Sequence, residues 1–217
     1  LGRLHEALAR AFVSRRAFCN SNDFLLPGTL IVPLPPTARR RSDHEQAAAL
    51  LDQSQRPLII VGGGAQHAST EVTELAQTLQ APVSAFRTGH GVLDSRHFLS
   101  VTSPLGNELW KDCDVVLAIG TRLQMHQMAW GTDDRLKIIH IDIDETTLGR
   151  HTKPAVGIVA DAGLASQALL EALSTDNHKR PSREVEMVQR KAEMAKRLAP
   201  LEPQLSYILS LIHISEP

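Results

Sequence analysis

Cysteine is nearly absent from this chain of 217 residues. The two present, Cys19 and Cys113, form no C-x-x-C pair, which excludes a disulfide framework and a zinc ribbon and suits a reducing, cytoplasmic compartment. Charge of one sign is lacking too, since 23 Lys and Arg face 24 Asp and Glu for a formal net charge of -1. No global field recruits nucleic acid or an anionic membrane, so small or neutral partners are expected. Aromatic residues are 4% of the chain, which marks Trp110 and Trp130 as packing residues rather than base-stacking platforms. No apolar run approaches the about 20 residues of a membrane-spanning helix. The opening stretch, LGRLHEALARAF, carries neither an initiating Met nor a signal-peptide pattern and reads as the middle of a longer protein.

Several catalytic signatures are also missing. Ten histidines are scattered, His90, His97, His126, His140 and His151 among them, without H-E-x-x-H or similar ligand spacing, so no metal site is expected; most of them read as surface or turn residues. There is no G-x-S-x-G elbow for a serine nucleophile, and neither cysteine has an activating neighbour in sequence.

What is there is alternation. Apolar runs at 57–61, 82–86, 114–119, 137–143 and 156–159 predict strands that are apolar on both faces, as in a parallel sheet covered on both sides. Between them, Val72, Leu75, Ala76 and Leu79, and again Ala165, Ala168, Leu169, Ala172 and Leu173, repeat at helical spacing. The fold class is α/β, a doubly wound, mostly parallel sheet with helices on both faces. Residues 1–36 read as a helix and strand left from a preceding domain, and 37–42 as a Pro-rich, basic linker. Ser42-Asp43-His44-Glu45 matches the capping box that opens a helix. The unit at 43–174 is one domain, and 175–208 is an exposed connecting helix. Residues 209–217, LSLIHISEP, look like a translated sequencing adapter and carry no structural weight.

The glycines after the first strand invite a nucleotide reading. A dinucleotide fingerprint needs G-x-G-x-x-G and an acid at the tip of the second strand. Gly62 and Gly64 fit, but His67 stands in the third place and the second strand runs into Arg87-Thr88-Gly89 without a carboxylate. A P-loop fails as well, because His67 and Ala68 replace its Gly and Lys. Polar residues nevertheless gather at the carboxyl ends of the strands, where open parallel sheets bind ligands. The candidate cofactor contacts are Gly62, Gly63, Gly64, Gly89, Gly120, Thr121, Arg122, Asp142, Asp144 and Asp161. The alternative is that these glycines only turn the chain and that the aspartates cap the following helices.

Blocks in a fixed order carry a resemblance beyond these motifs. RPLIIVGGGA (56–65), ELAQTLQAPV (74–83), GHGVLDSRH (89–97), DCDVVLAIGTRL (112–123), WG (130–131), KIIHIDID (137–144) and GIVADA (157–162) together resemble the central domain of thiamine diphosphate-dependent enzymes, acetolactate synthase-like proteins above all. PGTLIVPLP (27–35) resembles the last strand of that family's pyrimidine-binding domain, and LEPQLSYIL (201–209) the helix leading into its pyrophosphate-binding domain. The resemblance implies a parent enzyme that uses thiamine diphosphate and Mg2+ to decarboxylate a 2-oxo acid and ligate the product. That parent is expected to be a homo-oligomer. It also implies that this piece is truncated at both ends and inactive alone, because the family's catalytic Glu and its G-D-G...N motif belong to the two other domains. FAD sits in the central domain of some members, yet Gly120-Thr121-Arg122-Leu123-Gln124-Met125-His126 lacks the acidic pair and second Arg of the flavin-binding pattern, so an empty structural role is favoured. A non-catalytic FAD- or ADP-binding module is the alternative.

Overall fold

A computed structural model describes residues 38–201. The expectations for 1–36 and 209–217 lie outside those residues. Six strands form one sheet: β1 (Pro57–Val61), β2 (Val83–Ala85), β3 (Ser100–Val101), β4 (Val115–Ile119), β5 (Lys137–Asp142) and β6 (Val156–Val159). Their order is β3-β2-β1-β4-β5-β6, and every neighbouring pair is parallel. The doubly wound α/β expectation is therefore met.

The two central strands explain the stability of this arrangement. All residues of β1 and β4 are buried, and Ile59, Ile60, Val61, Val116, Leu117, Ala118 and Ile119 have no exposed surface. Burying one large aliphatic side chain contributes roughly 1.5–3 kcal/mol, so the β1/β4 pair anchors the core. Helix α4 (Ala162–Ala172) packs against both α1 (Ala38–Gln53) and α2 (Ser69–Leu79) in one layer. Helix α3 (Ser103–Asp112) packs with α5 (Glu184–Leu198) in a second.

Three features differ from the sequence reading. Helix α1 opens at Ala38, four residues before the expected start at Ser42 and inside the expected linker. Ala and Arg favour helix, and the Ser42 hydroxyl accepts from Gln46 Nε2 at 3.2 Å instead of capping. The edge strand β3, two residues long, is too short to show a period, and helix α3 falls in a stretch for which no element was expected although it buries Leu105, Leu109 and Trp110. The connecting helix α5 is docked rather than free. Met187 and Met194 are buried, Arg190 pairs with Asp112 at 3.5 Å, Arg197 pairs with Glu108, and Lys191 Nζ donates to the His97 carbonyl at 2.9 Å.

Two polar clamps fix the amino-terminal side of the sheet. The Asp114 carboxylate accepts from the Ser54 hydroxyl at 2.5 Å and from the Gln55 and Arg56 amides at 2.7 and 3.1 Å. The Arg180 guanidinium donates to the Leu51 and Ser54 carbonyls at 2.7 and 2.8 Å, at the carboxyl end of α1, where a cation is favoured.

Candidate functional site

The strand order reverses between β1 and β4, and at such a switch point the outgoing loops diverge to leave a crevice at the carboxyl ends of the strands. Gly62, Gly63 and Gly64 leave β1 here, and Gly120, Thr121 and Arg122 leave β4. The structure brings these two corners into direct contact. Gly62 N–H donates to the Ile119 carbonyl at 3.1 Å and Gly64 N–H to the Gly120 carbonyl at 3.0 Å; Ala65 N–H closes the turn onto Gly62 at 3.1 Å.

Close approach is what the glycines make possible. A Cβ on Gly62 would collide with the Gly120 carbonyl oxygen and stand 2.7 Å from the Thr121 Cβ. One on Gly64 would be 2.9 Å from the Gly120 Cα, and one on Gly120 would be 2.5 Å from the Gly64 carbonyl carbon. Gly120 also has φ +56°, which an L side chain adopts only with strain. Gly89, in the loop after β2, packs equally tightly on the Val61 carbonyl, and a Cβ on Gly63 would stand 2.8 Å from the Thr88 hydroxyl oxygen.

Two of the remaining candidates, Asp144 and Asp161, work as local caps. Asp161 Oδ1 accepts from the Gly163 and Leu164 amides at 3.0 and 3.2 Å, opening α4, while Oδ2 meets His67 Nε2 at 2.8 Å. His67, in the place of the third fingerprint glycine, thus ties the β1 corner to the start of α4. Asp144 accepts from the Thr146 amide and hydroxyl at 2.9 and 2.8 Å, bonds that hold its carboxyl below the usual carboxylate range. Asp142 accepts from the Asp144 amide at 2.9 Å; burial pushes its carboxyl above that range. Arg122 is exposed.

Sequence reasoning missed three residues here. His140 is an exception to the reading of most histidines as surface or turn residues: it is buried on β5, and its Nε2–H donates to the Thr121 carbonyl at 2.7 Å, steadying the β4 corner. Its place inside the apolar run KIIHIDI was the available signal. Gln66 donates through Nε2 to the Thr88 and His90 carbonyls, strapping the loop after β2 to the β1 corner. His126 lies 2% exposed in a π-helical turn, His126–Trp130, and no period in the sequence marked it as buried. Cys113 matches the expectation of an unactivated thiol, because burial, then Asp114, push it up to about 12.

The geometry defines a class: a doubly wound α/β domain with a glycine-lined switch point. Comparison with known proteins gives the family. Residues 44–172 match the family model described as "Thiamine pyrophosphate enzyme, central domain", and the chain belongs to that family. Among curated relatives, it is 32% identical over 159 residues to the acetolactate synthase large subunit of Parasynechococcus marenigrum (strain WH8102), covering 68% of this chain and 25% of that protein. It is 32% identical over 144 residues to acetolactate synthase 2, chloroplastic, of Nicotiana tabacum, covering 62% and 22%. It is 35% identical over 131 residues to the acetolactate synthase of Arthrospira platensis, covering 54% and 22%. The chain therefore spans about a quarter of the length of these relatives.

Two groups implied by the family were tested against the residues present. Thiamine diphosphate with magnesium does not fit them: among the described residues no group of three His, Cys, Asp or Glu is placed to hold a metal ion, and the sequence contains no G-D-G. The diphosphate of a flavin or adenine nucleotide needs free backbone amides at the glycine corner. The amides of Gly62, Gly64 and Ala65 are already hydrogen-bonded within the protein, and the space a cradle would offer at Gly62, Gly64 and Gly120 is filled by the facing backbone.

Proposed function

We propose that this chain is the central, scaffolding part of a thiamine diphosphate- and magnesium-dependent synthase that decarboxylates a 2-oxo acid and joins the product to a second carbonyl compound. The observation that supports it is the domain match over 44–172 together with relatives named acetolactate synthase. The parent is a homo-oligomer working in the cytoplasm, and the piece is inactive by itself. Bound cofactor supplies the carbanion chemistry, and the parent's other domains hold it. This domain's own residues position its neighbours: the clamped α1 and the docked α5 fix the directions in which chain enters and leaves. The test is the source reading frame. An acidic residue in the upstream pyrimidine-binding motif and a downstream G-D-G...N support the reading; a complete frame lacking both defeats it. The 217-residue chain, mixed with 2-oxo acid, thiamine diphosphate and Mg2+, is expected to show no turnover.

A second reading, a non-catalytic FAD- or ADP-binding module using Gly62, Gly63, Gly64, Gly89, Gly120, Thr121, Arg122, Asp142, Asp144 and Asp161, meets a corner whose Gly62 and Gly64 amides are already bonded, and one observation still favours it. These residues stand at or beside the carboxyl ends of the strands, around the point where strand order reverses. Ligand at about 100 times its Kd stabilises the native state by about 2.7 kcal/mol. A raised Tm in saturating FAD or ADP establishes the module, and an unchanged Tm leaves the scaffold.

A further inference from the structure

The turn that follows the β4 corner is built unlike its surroundings. Leu123 is left-handed, with φ +51°, although it is a bulky residue held in the core at 1% exposure. The π-helical turn His126–Trp130 comes next, and Gly131 at φ +79° ends it. Leu123 and the π geometry are conformations that cost free energy and collect at switching segments.

At the centre of this turn is His126, whose two ring nitrogens are buried without a hydrogen-bond partner. Its surroundings are aromatic. Phe86 and Trp130 meet the imidazole edge-on at centroid distances of 5.2 and 4.4 Å, and Trp110 lies 6.1 Å away. Ser84 Oγ, also buried and unpartnered, faces Gly106, where Trp130 packs as well. Buried polar atoms almost always find partners, so two such groups beside one aromatic cluster form a weak point.

The charged groups on the packed elements face elsewhere. From the β2 loop, the Arg87 guanidinium lies over the Phe86 ring at 5.4 Å. From α3, Glu108 pairs with Arg197, Asp112 with Arg56 and Arg190, and Lys111 is exposed. On the turn's own flanks Arg122 is exposed and Asp133 pairs with Arg135. None of these charges bears on the imidazole, and burial alone pushes it down to about 4.

We propose that the His126–Trp130 turn is a proton-operated latch on the β4 side of the switch point, closed while His126 is neutral in its aromatic box and opened when the imidazole takes up a proton and leaves for water. Opening lifts Trp130 off Gly106 and frees the residues that follow Gly120. The strands and the glycine corner stay in place, because their hydrogen bonds do not pass through the turn.

The chain carries its own reporter, since its only two tryptophans, Trp110 and Trp130, both lie against His126. Tryptophan emission and far-ultraviolet circular dichroism of the full chain are followed together from pH 7.5 to 3.5. The latch predicts a reversible emission step with a midpoint between about 4 and the ordinary imidazole value of 6.5, while the dichroism holds. His126→Leu and His126→Gln should both abolish the step. Persistence of the step in either folded variant overturns the proposal, and so does dichroism that collapses along with the emission. Should neither variant fold, acrylamide quenching of the unmodified chain decides: a several-fold rise in accessibility below the midpoint supports the latch, and an unchanged value overturns it.

Discussion

The two corners of the switch point, a few residues apart in space, are opposites. The β1 corner satisfies the amides of Gly62 and Gly64 and packs backbone directly on backbone. The turn after β4 leaves an imidazole unpartnered and keeps a leucine in a left-handed conformation. Proximity to a ligand-binding position therefore says little about what a residue does. The glycines that invite a phosphate are used to bring two loops together, and the segment GTRLQMHQMAW holds the unsatisfied chemistry.

Substitution at the satisfied corner should have the largest effect. Gly120→Ala combines overpacking against Gly64 and Ala65, about 1–3 kcal/mol, with a left-handed penalty of about 1–2 kcal/mol, and should lower the urea midpoint with an unchanged slope. At the unsatisfied turn the sign reverses. His126→Leu removes a buried group with no partner and should raise stability at pH 7 by about 1–3 kcal/mol, read from the same denaturation curves.

That variant also sharpens the comparison through pH. Below 6.5 the unfolded chain protonates His126 while the folded chain, held near 4, does not; the unfolded state binds more protons, and stability falls as pH drops across that window. Urea midpoints of the unmodified chain should decline between pH 6.5 and 4, and His126→Leu should flatten that decline. Loss of the cap in Asp161→Ala should cost about 0.5–2 kcal/mol, a smaller effect than at Gly120 because only α4 and the His67 contact are touched. The smallest effect is expected at exposed Arg87, which has φ +45°: Arg87→Gly relieves that conformation and should raise Tm by a few degrees at most, equivalent to about 1 kcal/mol.

Much of the fold was legible because its physics is local. Strands buried on both faces must be apolar throughout, and 57–61 and 156–159 were placed to the residue, with 114–119 and 137–143 off by one at one end. The edge strand β3 escaped because two residues carry no period, and α3 because SPLGNELWKD has few apolar positions. The site was less legible. Asp144 and Asp161 do act as caps, the alternative weighed beside a nucleotide contact. That Gly62 meets Gly120 across the sheet is a tertiary fact with no trace in either local pattern. The burial of His126 is tertiary in the same way: Phe86 and Trp110 come from separate elements to enclose it together with Trp130 of its own turn.

Native-state hydrogen exchange tests the contrast between the corners most directly. The Gly62 and Gly64 amides, bonded across the switch point, should exchange only at the free energy of global unfolding, while the amides of 126–130 exchange through a smaller opening well below it. Equal protection at the two corners, or faster exchange at Gly62 and Gly64 than in the turn, would contradict the account.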